Sequence, residues 1–180
     1  MSINQKGVVL CYTGNGKGKS TASFGLAIRS VGHGKKVCII QFIKSPDILI
    51  GEREVFKKLG VEMYQMGKGF TNIRDIDEHK KGIEEAWSLA KEKINSGEYD
   101  LVVLDEINNV FAITRFNVED VLSVEECIDV FKNRPDKTNV VITGRNAPQK
   151  LMDAVDLVTV CEERKHYYNE GRKAAKGIEF

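Results

Sequence analysis

Val8-Val9-Leu10-Cys11-Tyr12, a short apolar run, breaks into Thr13-Gly14-Asn15-Gly16-Lys17-Gly18-Lys19-Ser20-Thr21. This is the pattern of a phosphate-binding loop. The form G-x-x-x-x-G-K-[ST] sets backbone N–H groups around phosphate oxygens, sends one lysine to them and offers one hydroxyl to Mg²⁺. Lys19 is that lysine and Ser20 that hydroxyl. A helix beginning near Lys19 adds its N-terminal dipole, which favours an anion. The first glycine of the pattern is replaced by Thr13, with Gly14 and Gly16 inside the loop, while Gly18-Lys19-Ser20 is intact. A glycine-rich turn that binds nothing is the plain alternative. Strand, loop and helix in the required order argue against it.

The pattern continues outward from the loop. Apolar, β-branched runs at 7–13, 36–44, 61–66, 99–105, 138–143 and 157–162 read as strands, several apolar almost without a break, as strands covered on both faces should be. Helical patterns lie between them. In 19–32, Phe24, Ala27, Ile28 and Val31 share a face; from about Asp75 to Asn95, Ile83, Trp87, Ala90 and Ile94 do so. In 118–133 the face is Val121, Val124, Ile128 and Phe131, with Asn117 expected as the N-cap. Strands alternating with helices predict an α/β fold: a three-layer, mostly parallel sheet of the phosphate-loop, RecA-like kind. Loops 44–52 and 67–76 follow strands and are expected at the cleft of the phosphate loop, because ligands of such sheets collect at the strands' carboxyl ends. Trp87 reads as core packing.

Leu101-Val102-Val103-Leu104-Asp105-Glu106 is four apolar residues ending in two acids. Paired with the loop upstream, it puts Asp105 at a strand end where it can hold Mg²⁺, with Glu106 as a water-polarising acid or an outer partner. At 180 residues the chain is most simply one domain, 1–180. Twenty-seven basic residues against 26 acidic leave a net charge of +1, so no general pull toward nucleic acid or a membrane surface is expected. No stretch has the length and apolarity of a membrane span, and the four scattered cysteines, Cys11, Cys38, Cys127 and Cys161, show no metal-type spacing. A reduced, cytoplasmic protein is the expectation.

Taken together, these marks resemble the ATP:corrinoid adenosyltransferases of cobalamin biosynthesis. Besides the loop they include Val31-Gly32-His33-Gly34-Lys35-Lys36-Val37, Gln41-Phe42-Ile43-Lys44, Gly51-Glu52-Arg53 and Met66-Gly67-Lys68-Gly69-Phe70-Thr71. Thr143-Gly144-Arg145-Asn146-Ala147-Pro148, Lys165-His166 and Gly177-Ile178-Glu179-Phe180 follow later in the chain. The ordered set runs from about residue 7 onward, and a non-glycine at Thr13 is usual in that family. The resemblance implies that a reduced cobalt(I) corrinoid attacks the 5′-carbon of ATP and expels tripolyphosphate. Gly14, Asn15, Gly16, Lys17, Gly18, Lys19, Ser20 and Thr21 would then bind the triphosphate, with Arg29 a further nucleotide contact. Ser20 and Asp105 would serve Mg²⁺ or Mn²⁺. Phe70 would pack beneath the corrinoid and displace its lower ligand, easing reduction of the cobalt. Asn72, in the same corrinoid loop, stands where a second aromatic is usual: either Phe70 suffices, another residue such as Phe111 or Tyr64 fills the gap, or the enzyme is weaker on complete cobalamin. An electron-donating reductase, of flavin type, and a homodimer are implied as partners. The readings from other classes are a RecA-like ATPase and a small-molecule kinase, each of which would release ADP.

Asp77-Glu78-His79-Lys80-Lys81-Gly82 matches D-x-H-x-x-G, by which another class of corrinoid-binding domain gives a histidine to cobalt. That use needs a loop after a strand, whereas this stretch enters a helix. A chance match, with His79 on a solvated helix face, is expected; His33, between two glycines, reads as a turn residue.

Overall fold

The computed structural model describes residues 6–69 and 75–179. Its strands are β1 (Val9–Thr13), β2 (Val37–Gln41), β3 (Glu62–Gln65), β4 (Leu101–Asp105), β5 (Asn139–Thr143) and β6 (Leu157–Val160). They form one sheet in the order β3-β2-β4-β5-β1-β6, every pairing parallel. Successive strand residues point to opposite faces, and both faces are covered. Leu101, Val103, Ile39 and Val141 meet Phe24, Ala27 and Phe56 on one side. On the other, Val102, Leu104, Ile40 and Val140 meet Ile83, Trp87, Ile94 and Phe131. Central strands buried on both faces have no polar alternation to show, which is why they are legible as unbroken apolar runs.

The helices on these faces are α1 (Lys19–Gly32), α2 (Gly51–Lys58), α3 (Ile76–Asn95), α4 (Ile107–Phe111), α5 (Val124–Asn133) and α6 (Gln149–Ala154). In α3 the expected face is buried, and Trp87 stacks edge-on to Phe131 with ring centroids 6.4 Å apart. His79, however, lies on that buried face at 5 % exposure rather than in solvent. Ile28 on α1 departs the other way: Phe24 and Ala27 are buried, but Ile28 is half exposed.

The stretch 118–133 is not one helix. A 3₁₀ turn, Val118–Asp120, precedes α5, and the cap is Ser123, whose hydroxyl accepts from the Glu126 N–H at 3.1 Å. Asn117 instead donates from its side chain to Asp120 Oδ1. Ser123-Val124-Glu125-Glu126 has the S-x-x-E form of a capping box, and this local bond fixes the helix start six residues later than apolar spacing alone suggests. Helices α2, α4 and α6 have no counterpart in the sequence reading. Each has eight residues or fewer, too short to show an apolar period.

Candidate active site

At the carboxyl end of the sheet, β5 lies between β4 and β1, and β1 runs directly into the phosphate loop. Thr13 remains the last residue of β1, and its buried hydroxyl accepts from the Ala147 N–H at 3.1 Å, tying the loop after β5 to the base of the phosphate loop. A glycine there could not make that bond. The turn begins at Gly14, where φ is +96°. A Cβ on Gly14 would come within 2.5 Å of the Cys161 carbonyl oxygen, and one on Gly16 within 2.6 Å of the Glu162 carbonyl oxygen. Gly16 N–H also donates to Cys161 O at 2.7 Å. The phosphate loop is thus seated against the chain leaving β6, with Asn15 exposed between its two glycines.

A cavity of about 540 Å³ opens above the loop. Lys17, Gly18, Lys19, Ser20 and Thr21 form one wall, and Lys44, Glu106, Asn109 and Arg145 stand across from them. Lys19 Nζ donates to Gly16 O at 2.6 Å. Burial lowers its pKa, and so does the Arg145 charge; Cys161, Glu106 and Asp105 pull the other way. Arg29 is not brought to this cavity. It lies ten residues further along α1, about 15 Å at a helical rise of about 1.5 Å per residue, and is exposed.

The two acids after β4 take different positions. Asp105 is fully buried and lies behind the cavity wall. Its Oδ2 accepts from Gln41 Nε2 and its Oδ1 from Thr143 Oγ1, each at 2.8 Å. Gln41 is its register partner on β2, and Thr143 ends the strand on its other side. Glu106 is the carboxylate on the cavity wall. Its φ is +64°, a left-handed conformation that costs a non-glycine residue about 1 kcal/mol or more. The Glu106 N–H is held by Thr143 Oγ1 at 2.9 Å. Burial pushes the Glu106 carboxyl up to about 7; Asp105 adds to this, while Lys44, Lys19 and Arg145 oppose it. The sequence reading had Asp105 as the metal carboxylate. The structure sets Glu106 forward and Asp105 behind, because the strand's alternation and its polar neighbours decide which acid is enclosed. Ser20 and Glu106 both line the cavity, and a hydroxyl and a carboxylate are oxygen donors of the kind that fits a hard cation such as Mg²⁺.

A second hollow of about 250 Å³ adjoins the first. Ile43, Ile48, Ile50 and Gly69 line it, and it shares Lys44, Glu106, Asn109 and Glu179 with the larger cavity. Loops 44–52 and 67–69 therefore do face the cleft. They are joined to one another where Gly67 N–H donates to Lys44 O and Gly69 N–H to Ile43 O. Phe70 and Asn72 lie outside the described residues. Tyr64 is bound elsewhere, its hydroxyl donating to Glu62 at 2.7 Å within a cluster with Lys93 and Tyr99. Phe111, at the end of α4, lines a hollow with Ile113 and Phe116. Lys44, Asn109, Arg145 and Glu179 complete the site without any motif of their own to assign them a role; Lys44, Arg145 and Glu179 stand among the ordered marks quoted above, and nothing in the sequence singles out Asn109.

The model of the family described as "ATP:corrinoid adenosyltransferase BtuR/CobO/CobP" matches residues 5–180. The chain belongs to that family. Among curated relatives, the corrinoid adenosyltransferase of Escherichia coli K12 is 37 % identical over 180 residues, covering 98 % of this chain and 87 % of that one. The corrinoid adenosyltransferase of a Sinorhizobium species is 40 % identical over 181 residues, covering 98 % and 82 %. Among solved structures, the flagellar accessory protein FlaH of Methanocaldococcus jannaschii superposes with a TM-score of 0.54 at 14 % identity, covering 87 % of this chain and 71 % of that one. A KaiC-like protein of Pyrococcus horikoshii gives 0.50 at 12 %, covering 87 % and 72 %. At those identities the likeness concerns the fold alone.

Proposed function

We propose that this adenosyltransferase, read as one domain over residues 1–180, moves the 5′-deoxyadenosyl group of ATP onto the cobalt(I) of a reduced corrinoid and releases tripolyphosphate. The carrying observation is the pair of joined cavities in a chain of this family: a cationic one built on the phosphate loop, and an apolar one meeting it at Lys44, Glu106 and Asn109. In the reaction, the cobalt electron pair forms the bond to C5′ while the C5′–O bond breaks and its electrons pass to the triphosphate. Charge therefore grows on the leaving group, and the loop N–H groups with Lys17, Lys19 and Arg145, which line the cavity, would stabilise it. Ser20 and Glu106 would hold Mg²⁺, or Mn²⁺, with Asp105 fixing the strand end behind them. The ion supplies further stabilisation of developing phosphate charge. A metal fixed by outer hydrogen-bonded partners is held more firmly, the role left to Asp105, Gln41 and Thr143.

Phe70 is read as the aromatic that packs beneath the corrinoid, on the family resemblance. Tyr64 is committed to Glu62, which leaves Phe111 as the candidate substitute for the aromatic missing at Asn72. A reductase of flavin type would supply electrons. A homodimer fits the exposure of Leu157, Val158 and Val160 on edge strand β6. The balanced charge, and the lack among described residues of a helix long and apolar enough to span a membrane, are compatible with a cytoplasmic location.

The test is an anaerobic assay with ATP, Mg²⁺ and chemically reduced cob(I)alamin. Adenosylcobalamin with stoichiometric tripolyphosphate is expected; ADP accumulating without alkylation would sink the reading in favour of an ATPase or kinase. In the same assay, Phe70→Ala should lose far more activity from cobalt(II) plus reductant than from pre-reduced cobalt(I), and equal losses would refute its role.

A further inference from the structure

The phosphate cavity contains an anion supplied by the chain itself. Lys17 Nζ, on the phosphate loop, lies 3.5 Å from Glu179 Oε1. Glu179 also lines both the cationic and the apolar hollow. A tight turn aims it there: Ile178 and Glu179 N–H donate to Ala175 O, and Ala175 N–H donates back to Glu179 Oε2 at 2.6 Å. Gly177, with φ at +82°, lies within the bend.

Little else fastens this segment. Among the described residues, the hydrogen bonds and ion pairs of 163–179 are local to it (Asn169 to Glu163, Lys165 to Glu170, the 3₁₀ turn at Tyr167–Glu170), apart from Arg164 to Glu162, the residue just before it, and Lys17 to Glu179. Ile178, beside Glu179, is 61 % exposed where it borders a hollow with Phe24, Ile28 and Phe56. A carboxylate on a lightly held turn, paired to a loop lysine, is what a mobile internal competitor for phosphate requires. It also stands among Lys17, Lys19, Lys44 and Arg145, where a triphosphate must place its charge.

We propose that Glu179 is an internal phosphate mimic: it pairs with Lys17 when the loop is free of triphosphate, and must give up that pairing for triphosphate to bind. This rests on the adenosyltransferase reading. Its consequence is a residue that weakens the hold on both ATP and the tripolyphosphate product, so that the product leaves more readily. The carboxylate repels the polyphosphate and occupies one of its cations, and both effects vanish when its charge is removed.

Calorimetric titration of the full-length chain with inorganic tripolyphosphate, and separately with Mg²⁺·ATP, tests this. Glu179→Gln and Glu179→Ala should each bind tripolyphosphate roughly two- to five-fold more tightly than the parent, the range expected when one partly exposed ion pair is removed. The gain should shrink at high salt, and shrink in a Lys17→Ala background, where only the repulsion between Glu179 and the polyphosphate is left to relieve. Unchanged or weaker tripolyphosphate binding in both variants, with melting temperatures preserved, would overturn the proposal. Weaker ATP binding with unchanged tripolyphosphate binding would also overturn it, and make Glu179 a nucleoside contact. A parent chain that bound neither probe would overturn the functional reading itself, and this inference with it.

Discussion

Asp105 and Glu106 are adjacent in sequence and differ in what their surroundings permit. Asp105 has both oxygens occupied by donors from β2 and β5 and no exposure. Replacing it with Asn turns one acceptor into a donor facing another donor, either Gln41 or Thr143. Asp105→Asn should therefore cost about 1–3 kcal/mol in denaturant unfolding. Glu106 faces the cavity, in an environment that already disfavours its charge. Glu106→Gln should leave the unfolding midpoint near the parent's but weaken Mg²⁺·ATP binding by about 10- to 100-fold, the scale on which perturbing a metal's protein partners acts. A large stability loss in Glu106→Gln with ATP binding intact would reverse these assignments. The doublet was visible in the sequence, but the division of labour within it was not, because it depends on side chains from two other strands.

Element boundaries show where local chemistry outweighs periodicity. Apolar spacing over 118–133 is compatible with one long helix, yet the Ser123 cap starts α5 at Val124. Ser123→Ala should remove about 1 kcal/mol of stability, read as a lower denaturant midpoint at unchanged slope. A second local network joins the start of β3 to the end of α3. Glu62 accepts from Tyr99 and Tyr64, each at 2.7 Å, and pairs with Lys93 at 3.3 Å. The hydroxyl donors, Tyr99 and then Tyr64, with Lys93 adding, hold the Glu62 carboxyl down at about 2 against an ordinary 4.5. A carboxyl depressed on folding stabilises above its unfolded pKa, and that contribution is lost as pH falls through the folded value. Stability should thus decline from about pH 4.5 toward pH 2, and Glu62→Gln should decline less steeply over that window in acid-unfolding curves. Glu62 is more than a third exposed, so solvent screens the effect and the difference should be modest. The cluster could not be read from the sequence, since its members come from β3, α3 and the connection that leads into β4.

Across the whole molecule, the same separation between local pattern and assembled fold governs the thiols. Cys11, Cys38 and Cys127 are buried and unpaired in disulfides, and Cys161 is partly exposed beside the phosphate loop. Burial pushes Cys11 up to about 11 and Cys38 to about 12, and Cys127 higher still. A thiolate-selective reagent at neutral pH should therefore label one site per native chain, Cys161, and all four after unfolding; rapid native labelling at Cys38 would contradict the packing. By itself, the sequence determined the six strands, the two long helices α1 and α3, the parallel α/β class and the phosphate loop. Each is written in contiguous residues, by apolar runs, 3.6-residue spacing or a glycine-lysine-serine motif. Only the tertiary structure decided that Asp105 is enclosed and Glu106 presented, that Arg29 stands away from the cavity, that His79 is buried, and that Glu179 reaches Lys17. These depend on which strands lie side by side and on how the chain returns across the sheet. Such distances are set by packing between segments remote in sequence, and no local pattern encodes them.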